Sequence, residues 1–456
     1  MKRLILALLT LTACTQNKEL PLSSEALVFT HVNIVDVRNG NVIEDQLVVI
    51  DSGKIKFIFP EGSTIPENTQ LIDATGKYLM PGLSEMHAHI PHPDAGQDYL
   101  DNTLFLYLSN GITTVRGMLG HPAHLELREK ALKNEILSPR IFTSSPSLNG
   151  NTVQSIEEAK SKVESYAEAG YDFLKLHPGL KLEVFNEIAK TSNKIGIPFA
   201  GHVSVDVGIR NALQSDYATI DHVDGYLEGL VPPDAGVNPE ENGFFGFNFT
   251  DLADENYMSE LVDMTREHRV WVVPTQALFD RWFSPDKTET FATQPEMKYI
   301  PADMLRRWVE SKNNLNDDES YSAEKWERFN GIRHKLIYEL NKNGYGLLLG
   351  SDAPQVFNVP GFSIHHELQG MLDAGLSIAE AIKIGTLNPA VYLEMEGEFG
   401  EIVEGASADF ILLEKNPLED LNNLKNPSGV MVRGHWLSRE DIDQRLNEIE
   451  AQYQNQ

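Results

Sequence analysis

Six chemically capable side chains close short apolar runs, and their spacing constrains the fold more than any other feature of the chain. His87 and His89 follow Tyr78-Leu79-Met80-Pro81-Gly82-Leu83-Ser84, and Lys175 ends Tyr171-Asp172-Phe173-Leu174. His202 ends Ile197-Pro198-Phe199-Ala200-Gly201, His222 ends Ala218-Thr219-Ile220-Asp221, and Asp352 ends Gly346-Leu347-Leu348-Leu349-Gly350-Ser351. Side chains alternate along an extended strand, so His87 and His89 share one face and can hold one metal ion. A (β/α)8 barrel places its catalytic groups at the C-terminal ends of its strands and uses roughly 31 residues for each βα unit. His89 and Lys175 lie 86 residues apart, close to three such units. The next intervals, 27 and 20 residues, are one unit each. The 130 residues from His222 to Asp352 exceed two units and predict an insertion. The candidates therefore fall on strands 1, 4, 5, 6 and 8.

Composition narrows the setting. At 456 residues the chain suits one large domain with a smaller companion. A formal net charge of −29 excludes nucleic acid as a partner, because phosphates would be repelled. The N-terminus reads as an export signal: Lys2 and Arg3, an apolar run from Leu4 to Leu11, then Leu11-Thr12-Ala13-Cys14. That run is too short to span a bilayer as a helix, and no other stretch is long and apolar enough. Cys14 is the single cysteine, which excludes internal disulfides and thiolate metal sites.

Residues 1–14 are thus expected to be a lipoprotein signal peptide whose last four residues resemble a bacterial lipobox, with Cys14 lipidated and 15–25 a polar tether. Thr15 after the cysteine resembles the sorting pattern for the outer membrane. The expected partners are a small-molecule substrate and a membrane reached through the lipid anchor, and a homo-oligomer is compatible with the sequence.

The rest of the chain divides by periodicity. Residues 26–78 and 390–438 carry alternating or continuous β-branched runs separated by Asn-Gly and Ser-Gly turns, and together predict a composite β-sandwich. Residues 79–389 alternate helix and strand, the pattern of an α/β barrel. Helices are expected over Asp98–Asn110, Ser155–Ala169, Leu182–Ile195 and Asp254–His268, and a seventh strand over Val270–Thr275. Lid insertions are expected at about 231–250 and 279–342. Their aromatic residues either line a lid or pack the extra helices, and packing accounts for most of them. His121 and His124 read as surface residues of a helix start, and His365-His366-Glu367 as a helix after strand 8. Residues 439–456 read as a loose, polar, helical tail.

The strand-end motifs, including Gly350-Ser351-Asp352-Ala353-Pro354, resemble the amidohydrolase superfamily of metal-dependent hydrolases. The resemblance runs from about Val28 to Trp436 and is nearest the prolidase-like and imidazolonepropionase-related branch. It implies two divalent metal ions, zinc first, on nitrogen and oxygen donors. His87, His89 and Asp352 would bind one ion, and His202 and His222 the other. Lys175, carboxylated by carbon dioxide to N6-carboxylysine, would bridge them. A metal-bound hydroxide would attack an amide, cyclic amide or dipeptide carbonyl, with Asp352 moving the proton.

One departure stands out: Ser144–Asn151 holds no histidine where prolidase-like members often carry one. Three further residues are candidates for substrate binding: Tyr226 after strand 6, Arg116 at the end of strand 2, and His177 two residues past Lys175. Arg116 reads equally as packing on a local carbonyl. Two other readings stay open, a mononuclear metal-dependent deaminase and a non-catalytic binding lipoprotein on the same fold.

Overall fold

A computed structural model describes residues 22–60, 62–63 and 69–454. The signal segment 1–14 with Cys14, and most of the tether, lie outside the described residues. The chain forms β1 (Leu27–Asp36), β2 (Asn41–Asp51), β3 (Lys54–Pro60), β4 (Gln70–Asp73) and β5 (Tyr78–Pro81) before the first candidate histidine. At the other end, β14 (Phe410–Leu413), β15 (Gly429–Val432) and β16 (His435–Ser438) join the same sheet, in the order β16-β15-β14-β5-β1-β2-β3, with β4 also paired to β1. Chain ends more than 300 residues apart meet where β14 pairs antiparallel with β5, Phe410 opposite Pro81. Apolar clusters cover both faces of this sheet. Phe29, Val48 and Phe410 pack on one side, and Val28, Leu47 and Val49 on the other, as period-two alternation requires.

Between these ends lie eight short parallel strands. β6 (Leu83–Ala88), β7 (Ile112–Gly117) and β8 (Arg140–Thr143) form a three-stranded sheet. β9 (Leu174–Leu176), β10 (Phe199–Gly201), β11 (Thr219–Asp221), β12 (Trp271–Val273) and β13 (Gly346–Leu347) form a five-stranded one. Parallel bridges link the two sheets at Ser144 with Phe173, Leu148 with Leu176, and Ala88 with Ala353. Every residue of β6 and β7 is buried, the continuous pattern of strands covered on both faces.

Two of the intervening helices start and stop where the sequence predicts. Ser155 caps Ile156–Ala169 by accepting the Glu158 amide, and that helix ends at Gly170; Leu182–Ile195 ends at Gly196. Three expectations need correction. The helix expected over Asp254–His268 starts at Met258, because Asp254 caps a separate 3-10 turn at Glu255–Tyr257. His124 is buried rather than superficial, its Nε2 donating to the Pro91 carbonyl at 3.1 Å. The C-terminal helix, Arg439–Gln454, is docked rather than loose. Ile442, Ile449 and Tyr453 form a buried stripe, and Arg445 donates to Asn102 Oδ1 at 2.7 Å. Among the described residues no helix is long and apolar enough to cross a membrane.

Candidate active site

The site begins with β6. Glu85 and His87 stand two residues apart and point the same way, into the interior. The stretch after β13 runs alongside: the Met86 amide donates to the Leu349 carbonyl at 2.8 Å, the Asp352 amide to His87 at 3.0 Å, and the His89 amide to Ala353 at 2.8 Å. These bonds deliver Asp352 to the histidine pair. Its Oδ1 lies 2.7 Å from His89 Nε2 and 3.4 Å from His87 Nε2. Among the described residues, His87, His89 and Asp352 form a group whose donor atoms all lie within 4.8 Å of one another, a spacing suited to one ion.

Lys175, on β9, is wholly buried and its Nζ has no hydrogen-bond partner. The nearest carboxylate oxygen in an ion pair with it is Asp221 Oδ2, at 3.8 Å. Room for the amine comes from Gly201, at φ +128°, where a Cβ would come to 3.2 Å from Nζ and 2.3 Å from the Leu176 carbonyl. On β11, Asp221 Oδ2 also reaches within 3.2 Å of His87 Nδ1. His222 follows with φ +65°, a left-handed turn that brings its ring to 4.5 Å from that of His87. The His202 ring lies 4.5 Å from His222 on its other side. His222 Nδ1 faces Thr275 Oγ1 at 2.8 Å, and His202 Nδ1 faces Asp224 Oδ2 at 3.1 Å. Positive φ recurs at Thr275 (+48°) and Asp352 (+63°), so three strand ends turn through a conformation that side chains disfavour.

Burial sets the protonation states. His87 and His222 are pushed well below the ordinary histidine range, first by burial and then by Lys175 and His87 respectively, and stay neutral. Burial likewise lowers the Lys175 amine, against the pull of Asp221 and Asp352. Glu85 is pushed up to about 8 by burial, although Ser351 and the His87 amide donate to it.

A strand-end cluster of imidazoles, a buried amine and a carboxylate is a site type, and comparison supplies the lineage. The sequence profile of the Amidohydrolase family matches residues 78–437, well over half the chain. The chain belongs to the amidohydrolase family. Adenine deaminase 3 of Rhizobium meliloti (strain 1021) is 35% identical over 65 residues, 14% of this chain and 11% of that protein. The chain thus aligns with about a tenth of that relative's length. Among solved structures, a bottromycin amidohydrolase superposes with a TM-score of 0.72 at 20% identity, over 93% of this chain and 90% of that one. A putative prolidase from Bifidobacterium longum gives 0.64 at 23% identity, over 94% and 100%. At these identities the likeness is one of fold.

Within this family member, the six strand-end candidates converge as described. The three substrate candidates do not all join them. Arg116 is fully buried, with Nε donating to the Met86 carbonyl, Nη1 to Thr219 and Tyr392, and Nη2 to Asp221 Oδ1 at 3.2 Å. Four of its five N–H donors are taken and the side chain is fully buried, so it positions Asp221 rather than facing a substrate carboxylate. Tyr226 is buried with its hydroxyl 2.7 Å from Thr265 Oγ1, on the side of helix Met258–Glu267. His177 does reach the cluster: its ring stacks on His202 at 5.1 Å and its Nδ1 meets Ser147 Oγ at 2.8 Å.

Four participants escaped the sequence reading. Glu85 was open to the same period-two argument as His87. Asp221 was hidden because alternation puts it opposite His222, and only the left-handed turn brings both to His87. Arg333, from helix Ala323–Asn343, donates to the carbonyls of His222 and Pro274 at 2.7 and 2.9 Å, across 111 residues for the first. Phe245 lies over His222 and His202, with ring centroids at 5.4 and 6.0 Å. Both fall within the insertions expected at 231–250 and 279–342, whose aromatic residues read mainly as packing, and nothing local singles out either residue.

Proposed function

We propose that this protein is a hydrolase that cleaves the carbon–nitrogen bond of an amide, cyclic amide or dipeptide. The observation that carries the reading is the convergence of His87, His89, Lys175, His202, His222 and Asp352, with Lys175 Nζ, Asp221 Oδ2 and His87 Nδ1 buried and without hydrogen-bond partners. Buried polar atoms left so are costly, and a divalent cation among them fits the donor set. His87, His89 and Asp352 would hold one ion, and His202 and His222 a second. Lys175, as a carbamate formed from its neutral amine and carbon dioxide with loss of a proton, would reach both. Zinc suits these nitrogen and oxygen donors first. Such ions supply a water acidified toward a pKa of ~7 and an electrophile for the scissile carbonyl.

The chain's own residues do the rest. The Asp224 carboxylate accepts from His202 Nδ1, and Thr275 Oγ1 pairs with His222 Nδ1, which leaves each Nε2 as the coordinating nitrogen. Arg116 holds Asp221 beside His87 and Lys175. Asp352 takes the proton of the attacking water and returns it to the leaving nitrogen. His177, stacked on His202, offers a side chain to bound substrate.

Three further parts belong to the same reading. The eight parallel strands and their bridges read as a closed (β/α)8 barrel over 79–389, with lids at about 231–250 and 279–342. The mixed sheet reads as a composite β-sandwich of 26–78 and 390–438. The N-terminal segment supports export and lipid anchoring through Cys14, to the outer membrane.

A mononuclear deaminase is the second reading, favoured by the partial match to adenine deaminase and by the three-residue cluster at His87, His89 and Asp352. Metal analysis and a substrate screen separate them. The hydrolase should hold about two ions per chain, lose turnover of dipeptides, N-acyl amino acids or lactams on chelation, and recover it with zinc. One ion with ammonia release from an aminopurine would favour the deaminase, and no metal uptake at all would end both.

A further inference from the structure

The segment Phe244–Leu252 crosses the mouth of the site in an unusual backbone state. Phe245 takes φ 53°, ψ 35° and Gly246 φ 78°, ψ 6°, two consecutive left-handed residues. A bulky side chain holds that conformation only where its surroundings impose it. They do so on both sides of Phe245. A Cβ on Gly246 would come within 2.8 Å of the Glu228 carboxyl, so only glycine lets the loop settle there. Asn242 Nδ2 donates to the other oxygen of Glu228 at 2.7 Å, and the Asn248 amide donates to the Asn242 carbonyl at 2.9 Å. Thus pinned, the loop lays the Phe245 ring over His222 and His202, with Phe279 edge-on behind it at 4.9 Å.

On the far side of that ring is a groove of about 350 Å³, lined by Phe244, Phe247, Trp282, Phe283, Leu315 and Asp318. Its volume is in the range of small-molecule sites. Two aromatic rings separate groove and site: Phe245 against the histidines and, 6.5 Å from it, Phe283, which lines the groove. Phe244 is 59% exposed at its rim, 5.5 Å from Trp282, whereas Phe247 and Phe283 are buried. An exposed aromatic beside others that are covered leaves ring faces and edges open to a further ring.

We infer that Phe245 is a specificity-determining residue, selecting substrates that carry an uncharged aromatic group beside the scissile bond, which lies against its ring and reaches the Phe244–Trp282 groove over the exposed Phe244 rim. The inference rests on the hydrolase reading for its chemistry but not for its binding.

The test compares N-benzylacetamide with N-ethylacetamide, titrated calorimetrically into metal-loaded wild type, Phe245→Ala, Phe245→Leu and Trp282→Ala, with melting curves to confirm folding. N-Benzylacetamide should bind wild type, lose at least about tenfold in affinity in Phe245→Ala and Trp282→Ala, and lose less in Phe245→Leu. N-Ethylacetamide should not distinguish the four proteins. In turnover, N-acetyl-L-phenylalanine should lose kcat/KM in Phe245→Ala mainly through KM, and by at least about tenfold more than N-acetylglycine loses.

Equal benzyl affinity in wild type and Phe245→Ala, or no benzyl binding by wild type, overturns the inference. Should Phe245→Ala fail to fold, Phe245→Leu decides on the same criteria. If neither amide is hydrolysed while the Phe245-dependent binding stands, the hydrolase reading fails alone. If hydrolysis proceeds with an aromatic preference indifferent to Phe245, only the present inference falls.

Discussion

The floor of the site and its lid are built on opposite principles. The floor is polar and fully enclosed: Arg116 spends its donors on Met86, Thr219, Tyr392 and Asp221, and Glu85 accepts from Ser351 and His87. The lid is aromatic, with Phe283, Phe329 and Trp326 stacked at centroid distances of 5.8–6.3 Å, and it meets solvent at Phe244. A polar floor holds donor atoms to tenths of an ångström because a misplaced buried charge is costly. An aromatic lid tolerates displacement, because apolar contact is non-directional. The polar floor carries the donor set of the proposed chemistry, and the aromatic layer the proposed discrimination.

Four substitutions can break or sharpen this contrast. The largest effect is expected at Asp352. Asp352→Asn should lower turnover by about 10³-fold or more, the scale of a lost proton carrier, with an unchanged melting temperature. Activity within tenfold of wild type would remove Asp352 from that role. Next is Arg116→Met, which strands the buried Asp221 carboxylate and should destabilise the fold by about 3–5 kcal/mol in urea titration. Adding Asp221→Asn should recover part of that loss. Additive costs in the double variant would show that the two are not coupled.

In the lid, Lys312 donates to the Ser284 and Trp282 carbonyls, and burial pushes its amine down to about 8. The unfolded chain binds that proton up to about 10.5, so between the two values unfolding takes up a proton and stability rises with pH. Below about 8 the fold carries the full cost of the charge. The stability advantage of Lys312→Met over wild type should therefore be greatest near pH 7 and shrink by pH 10.5, by a few degrees in melting temperature. A pH-independent difference would contradict a buried charge there. The smallest effect is expected at Phe244. Phe244→Ser, at an exposed position, should change stability by less than about 0.5 kcal/mol and alter only affinity for aromatic ligands.

Most of the strand-end cluster was legible because it is written in local order. A His-x-His pair, a lysine, two histidines and an aspartate each close an apolar run, and strand geometry places such endings at one end of the parallel strands. The helix limits at Ser155, Gly170 and Gly196 are equally local. The misreadings share a cause. Tyr226, just beyond a strand end, is captured by Thr265, and of the two readings of Arg116 the structure keeps the packing on a local carbonyl, that of Met86. The docking of the C-terminal helix depends on a complementary surface around Asn102 that its own polar sequence does not mention.

By itself the sequence determined the alternation of helix and strand, the joining of the chain ends into one sheet, and the identity of the strand-end donors, because periodicity and turn chemistry act over a few residues. Tertiary structure alone decided which way those donors turn. The left-handed residues at His222, Thr275 and Asp352, the lowered basicity of the Lys175 amine, and the reach of Arg333 and Phe245 to the strand ends all arise from burial and from contacts between distant segments. Those forces do not exist until the chain has closed on itself.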